Sequence, residues 1–267
     1  MSSIPVWDIP PENSELPPTG LRIRDGAYAV GIYIGAQIAA ALLMVFVVAL
    51  YTGLLHGKEA AVAESQSLAQ SSAFLIATIV AAVVLVFFFA RHLARRSGRG
   101  WPVLGILRPA NYWFAIAVAV LLGCNVLSYI FNLIAGPEVS KAAGLTMEVF
   151  ANVGPVALWP MIALICVIVP ITEEVVFRAI LFRSLATRLP VWAAGTVSVA
   201  IFSFVHAQYL MSGWAVALLM MAQVGILGAA LTWLYYKSGS LWPSVTVHVL
   251  NNSWVMVVLL LWPDSGL

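Results

Sequence analysis

The sequence predicts an all-α polytopic membrane protein of about seven transmembrane helices, with room for an eighth or re-entrant segment. Three observations lead there. The 267 residues are 62% hydrophobic and 9% charged, with a mean hydropathy of +0.98, against roughly 45–50% apolar and about 25% charged in soluble domains. The apolar residues fall in long runs, near the ~20 residues that cross a bilayer. The charges collect in the breaks between the runs. A soluble globular protein is excluded, and the balance of 13 Lys and Arg against 11 Asp and Glu speaks against nucleic acid as a partner. The lipid bilayer is the expected surrounding.

Residues 1–26 are polar and rich in proline (Pro5, Pro10, Pro11, Pro17, Pro18). They lack a basic segment followed by an apolar core, so they read as a disordered cytoplasmic tail rather than a signal peptide. Residues 27–267 form a single transmembrane domain. Its apolar runs lie at about 28–55, 73–90, 112–135, 155–171, 191–209, 214–236 and 241–262, and the motif-bearing catalytic region is 155–262. In the first run Gly31 and Gly35 form a GxxxG, compatible with close helix packing and given no functional weight. Cys124 and Cys166 both sit in apolar runs, the place of buried small hydrophobes rather than of a disulfide framework.

Orientation follows from the basic residues. With seven spans and a cytoplasmic N-terminus, every Lys and Arg except Lys58 and Lys141 falls on or near the inner side. The positive-inside rule then predicts N-in, C-out. The cluster Arg91–Arg99 is the strongest anchor; anionic-lipid binding is a second reading of it.

A few ionisable groups remain inside or beside the runs: Glu173, Glu174, Arg178, His206 and His248. A charged side chain at mid-bilayer costs ~2.5–3.5 kcal/mol or more, so idle placement is improbable. Pro170 is expected to end or kink the helix before the acidic pair by removing a backbone donor. Glu174 and Arg178 stand at i and i+4, the order that favours an ion pair. Glu173 points about 100° away and stays free for proton chemistry. An interfacial helix whose polar face meets water fits the same residues.

Glu173 lies 16 residues before Leu189 and His206 lies 16 residues after Pro190. If the chain turns at Leu189-Pro190, both sit ~24 Å from the turn. A continuous helix from about Pro155 to Arg188 would be roughly 50 Å long, too long for one upright crossing. Glu173 is then expected within the membrane, nearer the inner surface. Phe202 and His206 share a helical face, as do His248 and Asn252. Imidazole and amide on one face suit an oxyanion, or equally a polar clamp between helices.

E-E-x-x-x-R, then F-x-x-x-H about 30 residues on, then H-x-x-x-N near the C-terminus together resemble the CAAX-processing and bacteriocin-processing (CPBP, Abi) family, the Rce1-like intramembrane glutamic proteases. The resemblance covers Glu173 to Asn252; Ala179 stands where many members have Gly, and the first three helices carry no matching motif. It implies a membrane endopeptidase in which Glu173 is the general base and His206 assists in activating water. By the same resemblance His248 with Asn252 stabilises the oxyanion, while Glu174 with Arg178 tunes the site and Phe202 supports it. No cofactor is implied. Zinc held by Glu173, His206 and His248 with Glu174 as base is the alternative, although no HExxH helix is present.

The expected activity is hydrolysis of a peptide bond in a membrane-associated peptide or protein, near the cytoplasmic face. A bacterial plasma membrane is the expected location, where a precursor peptide is a more fitting substrate than a prenylated CAAX protein. A non-proteolytic scaffold or immunity protein of the same fold is the second class of function. A proton-coupled transporter is the third, and the halves lack the paired broken helices it would need.

Overall fold

The computed structural model describes residues 20–135, 155–206 and 213–261, and among them all regular structure is helical, with no strand. Most of the expected tail, through residue 19, lies outside the described residues. Helix α1 (Ile23–His56) starts inside the segment expected to be tail: Asp25 in its first turn accepts from the Arg22 backbone N–H at 2.7 Å. This anchors the N-terminus of the helix and places a carboxylate at its positive end. Helix α2 (Lys58–Ala69) is a polar connector with no buried residue. Its Ala-rich sequence favours helix, and it was not foreseen because it has no apolar face. Helix α3 (Ser72–Arg96) is capped by the Ser71 hydroxyl, which accepts from Phe74 N–H, and ends on Arg95 and Arg96. A short 3₁₀ turn (Trp101–Leu104) leads to α4 (Tyr112–Ala135).

Helix α5 runs without a break over 155–185, about 45 Å at 1.5 Å per residue. It contains two π-helical stretches, Leu164–Ile168 and Val175–Phe182, with α-helical segments on either side. Pro170 therefore does not end the helix as expected. Proline cannot supply the N–H that the preceding turn needs, and the wider π turn just before it absorbs the mismatch. The chain then turns at 186–190, as expected, and α6 (Val191–Phe204) starts after Pro190. Helices α7 (Trp214–Ser238) and α8 (Leu241–Leu261) complete the bundle.

Each of the seven apolar runs thus contains a helix. Among the described residues five helices are long and apolar enough to cross a membrane: Ile23–His56, Ser72–Arg96, Tyr112–Ile134, Ala157–Leu185 and Val216–Ser238. Val191–Phe204 is shorter, so a count of seven crossings does not follow. Large apolar side chains such as Leu42, Phe46 and Leu54 are well exposed, which in an apolar bundle is the surface that meets lipid. Gly31 and Gly35 belong to this open surface: a Cβ on either would meet nothing within 4 Å. The GxxxG makes no close packing among the described residues. Cys124 and Cys166 are free and buried.

One pole of the bundle gathers the ends of α1, α3, α5, α7 and α8 around the 3₁₀ turn. Arg96 at the end of α3 donates to Asp25 at the start of α1 (3.0 Å from NH1 to Oδ1). Gly26 of α1 lies against Ser184 and Leu181 of α5. The Leu241 N–H of α8 donates to the Gly105 carbonyl at 2.8 Å, Ser240 to Leu107, and Tyr235 of α7 to Leu104. The core lies under this pole, around Phe177, Ile180, Phe182, Phe202 and Tyr235.

Candidate active site

Helix α5 carries the acidic pair into the interior. Glu173, Glu174 and Arg178 are all buried, Glu174 and Arg178 fully. Three unlike charges at that depth persist only if paired. Arg178 NH1 donates to Glu174 Oε1 at 2.8 Å, the expected i, i+4 ion pair. Its NH2 donates to the carbonyl of Gly228 on α7 at 3.1 Å, and its guanidinium lies 4.3 Å over the Phe202 ring. Gly228 permits this approach, since a Cβ there would stand 3.0 Å from Phe202 and 3.4 Å from Arg178.

His248 of α8 lies between the two carboxylates. Its Nδ1 is 2.8 Å from Glu174 Oε1, and its Nε2 is 3.5 Å from Glu173 Oε2. Glu174, held as a carboxylate by Arg178, can only accept, so Nδ1–H is the donor. Nε2 then faces Glu173 at a separation longer than an ordinary hydrogen bond. The other oxygen of Glu173, Oε1, accepts from the Tyr33 hydroxyl of α1 at 2.7 Å.

Phe202 and His206 share a face as expected, with ring centroids 4.8 Å apart. Phe202 also packs edge-on against Phe177 at 5.0 Å and His248 at 6.0 Å. His206 is half-buried, and its Nδ1–H donates to the Phe202 carbonyl at 2.8 Å. That leaves Nε2 as its accepting nitrogen. His206 is therefore one aromatic ring away from His248, and the group that meets Glu173 directly is His248. Asn252 shares the α8 face with His248 and also turns to α5, where its amide donates to the Ile165 carbonyl at 3.2 Å. This bond has the character of the interhelical clamp, and the amide retains a second N–H.

Among the described residues no group of three or more His, Cys, Asp or Glu is arranged to hold a metal ion. Tyr33 is the contact that sequence reasoning missed. It is one of three tyrosines in an apolar helix, with Tyr28 and Tyr51, and no motif marks it. The signal would have been the small residues on its face, Gly26, Ala29 and Ala36, which only a known partner helix makes meaningful.

By helical rise, Tyr33 lies about 15 Å, Glu173 about 18 Å and His248 about 10 Å from the ends of their helices at the gathered pole. The carboxylates, imidazole and guanidinium form one desolvated cluster with a rim that reaches His206. Such a cluster can take a proton from water and keep the resulting charge away from lipid.

Residues 155–254 match the family described as Rce1-like, Type II CAAX prenyl endopeptidase Rce1-like. Over 100 residues the chain is 28% identical to a protein of Bacillus subtilis (strain 168) named "Putative membrane peptidase YdiL". That match covers 38% of this chain and 37% of the Bacillus protein. No solved structure matches. The matched segment 155–254 holds Glu173, Glu174, Arg178, Phe202, His206, His248 and Asn252, the residues of the three motifs, and is similar to the Rce1-like family over that segment.

Proposed function

We propose that this protein is an intramembrane endopeptidase in which Glu173 activates water for attack on a peptide bond of a membrane-associated peptide. The observation that carries this reading is the asymmetry of the acidic pair. Arg178 and His248 both bond to Glu174 Oε1, whereas Glu173 Oε2 faces the Nε2 edge of His248 at 3.5 Å. Glu174 Oε2 is buried without a hydrogen-bond partner, so the difference lies in the cation: Glu174 is tied to a guanidinium, and Glu173 keeps a basic oxygen beside an imidazole.

In the proposed step, water adds its oxygen to the carbonyl carbon and passes a proton to Glu173 Oε2. His206, with Nε2 unoccupied by its own helix, helps orient the water. The tetrahedral intermediate collapses as the C–N bond breaks, and the proton goes from Glu173 to the leaving amine nitrogen. Two carboxylates against one guanidinium leave one negative charge. A proton on His248 Nε2 brings the cluster to formal neutrality and supplies an N–H for the oxyanion, with the spare Asn252 N–H as its companion. Such donors act strongly where solvent is excluded.

The proposed substrate is a peptide or protein held at the membrane near the basic pole, and the proposed setting is a bacterial plasma membrane. The test is cleavage of a membrane-peptide library by the purified protein in vesicles. Glu173→Ala or His206→Ala, each with unchanged helix content, is expected to lose roughly 10²–10⁴-fold or more in rate. Full activity in either would overturn the assignment. Chelator-stripped protein is expected to remain active; loss on stripping with recovery on zinc would replace glutamate catalysis by the metal version.

A further inference from the structure

Helix α1 lies outside the matched segment 155–254, yet it supplies the shortest contact to Glu173. Its buried stripe is Asp25, Gly26, Ala29 and Ala36, and Tyr33 falls on the same face. The small residues bring the backbones together: a Cβ on Gly26 would stand 2.3 Å from Ser184 Oγ and 3.2 Å from the Leu181 Cα. Tyr33 is the large side chain in the stripe. Its ring packs edge-on against Phe177 at 6.0 Å and 83°, and its hydroxyl donates to Glu173 Oε1 at 2.7 Å. The backbone under it is tied by Gln37, whose amide donates to the Tyr33 carbonyl at 3.0 Å.

We infer that Tyr33 is a positioning residue for Glu173: its hydroxyl fixes one carboxylate oxygen so that the other is aimed at His248 and the attacking water. This rests on Glu173 being the general base. An O–H donated to a carboxylate is among the stronger hydrogen bonds, and among the described residues Glu173 has no arginine within ion-pair distance to hold its rotamer. A glutamate with three free torsions samples several rotamers. One phenol on a neighbouring helix, itself locked by Phe177, removes most of that freedom before substrate arrives. The role divides the carboxylate into a held oxygen and a working oxygen.

The test is steady-state cleavage of the best-cut library peptide by the full chain in phosphatidylethanolamine and phosphatidylglycerol vesicles. Tyr33→Phe keeps the ring and removes the hydroxyl. It is expected to lower kcat about ten- to hundredfold with KM within twofold, the effect of losing one hydrogen bond to a charged group. Replacing Tyr33 by 3-fluorotyrosine keeps ring and bond and is expected to restore kcat to within a few fold. Infrared difference spectra of ¹³C-labelled glutamate should change in Tyr33→Phe and not in Tyr129→Phe, whose ring is exposed. Wild-type kcat in Tyr33→Phe with an inactive Glu173→Gln overturns this inference alone. Activity in Glu173→Gln overturns the general-base reading beneath it. If Tyr33→Phe fails to fold, a kcat in the fluorotyrosine protein that does not recover also counts against the role.

Discussion

At the scale of single residues, the site is governed by the cost of charge in an apolar interior. Arg178 has 0% relative exposure, and it joins Glu174, the Gly228 carbonyl and the Phe202 ring. Removing it leaves a buried carboxylate without its cation. Arg178→Met is expected to destabilise the bundle by about 3–5 kcal/mol, the usual result of breaking a buried pair from one side. Thermal unfolding in detergent measures it. Arg178→Lys should recover part of the charge but not the fork that reaches both Glu174 and Gly228. A fall in stability no larger for Arg178→Met than for an exposed arginine such as Arg188 would show that the pair is not what holds Glu174. The pair itself is legible in the sequence because both partners lie on one helix at i, i+4. Where His248 would go is not, since Glu174 and His248 are 74 positions apart and come together across two helices.

At the scale of helices, α5 is shaped by its prolines and α1 by its small residues. The two π stretches of α5 flank the acidic pair, and each shifts the side-chain register relative to an unbroken α-helix. Of the end or kink expected at Pro170, the end does not occur, because a helix has this second way to accommodate a missing donor. The approach of α1 to α5 depends on Gly26. Gly26→Val is expected to push the helices apart, lowering the melting temperature and reducing cleavage through loss of the Tyr33 contact, about 1–3 kcal/mol in stability for an overpacked position. The same change at Gly31, where a Cβ meets nothing, should leave both readouts near wild type. Differential scanning fluorimetry and the vesicle assay distinguish them; equal effects at the two glycines would remove the packing argument.

At the scale of the molecule, the gathered pole brings together Arg22, Arg24 and Arg188 around an open depression of about 830 Å³, beside the Arg96–Asp25 pair. The alternating loops of the sequence placed these cations on one side, and the helix ends meet at one pole in the structure. If that pole is cytoplasmic, the proposed catalytic cluster lies on the cytoplasmic side of the membrane interior. Cysteines introduced at positions 24 and 188, after replacement of Cys124 and Cys166 by alanine, are expected to react with a membrane-impermeant maleimide only in inverted vesicles. A cysteine at Lys58 should react only in intact cells. The opposite pattern would reverse the topology and put the site on the outer side.

The sequence by itself determined the membrane class, the helix-bearing runs, the turn at Leu189-Pro190, the Glu174–Arg178 pair and the motifs of residues 155–254. Each rests on local composition or on helical spacing, and neither needs to know which helices are neighbours. Tertiary structure alone decided that His248 rather than His206 meets Glu173, that Asn252 reaches the Ile165 carbonyl, and that Tyr33 of α1 closes the site. Those contacts join residues 75 to 140 positions apart. Among apolar helices, pattern says which segments enter the bilayer but not which faces pair. Small side chains, π turns and the need to satisfy a few buried polar groups make that choice.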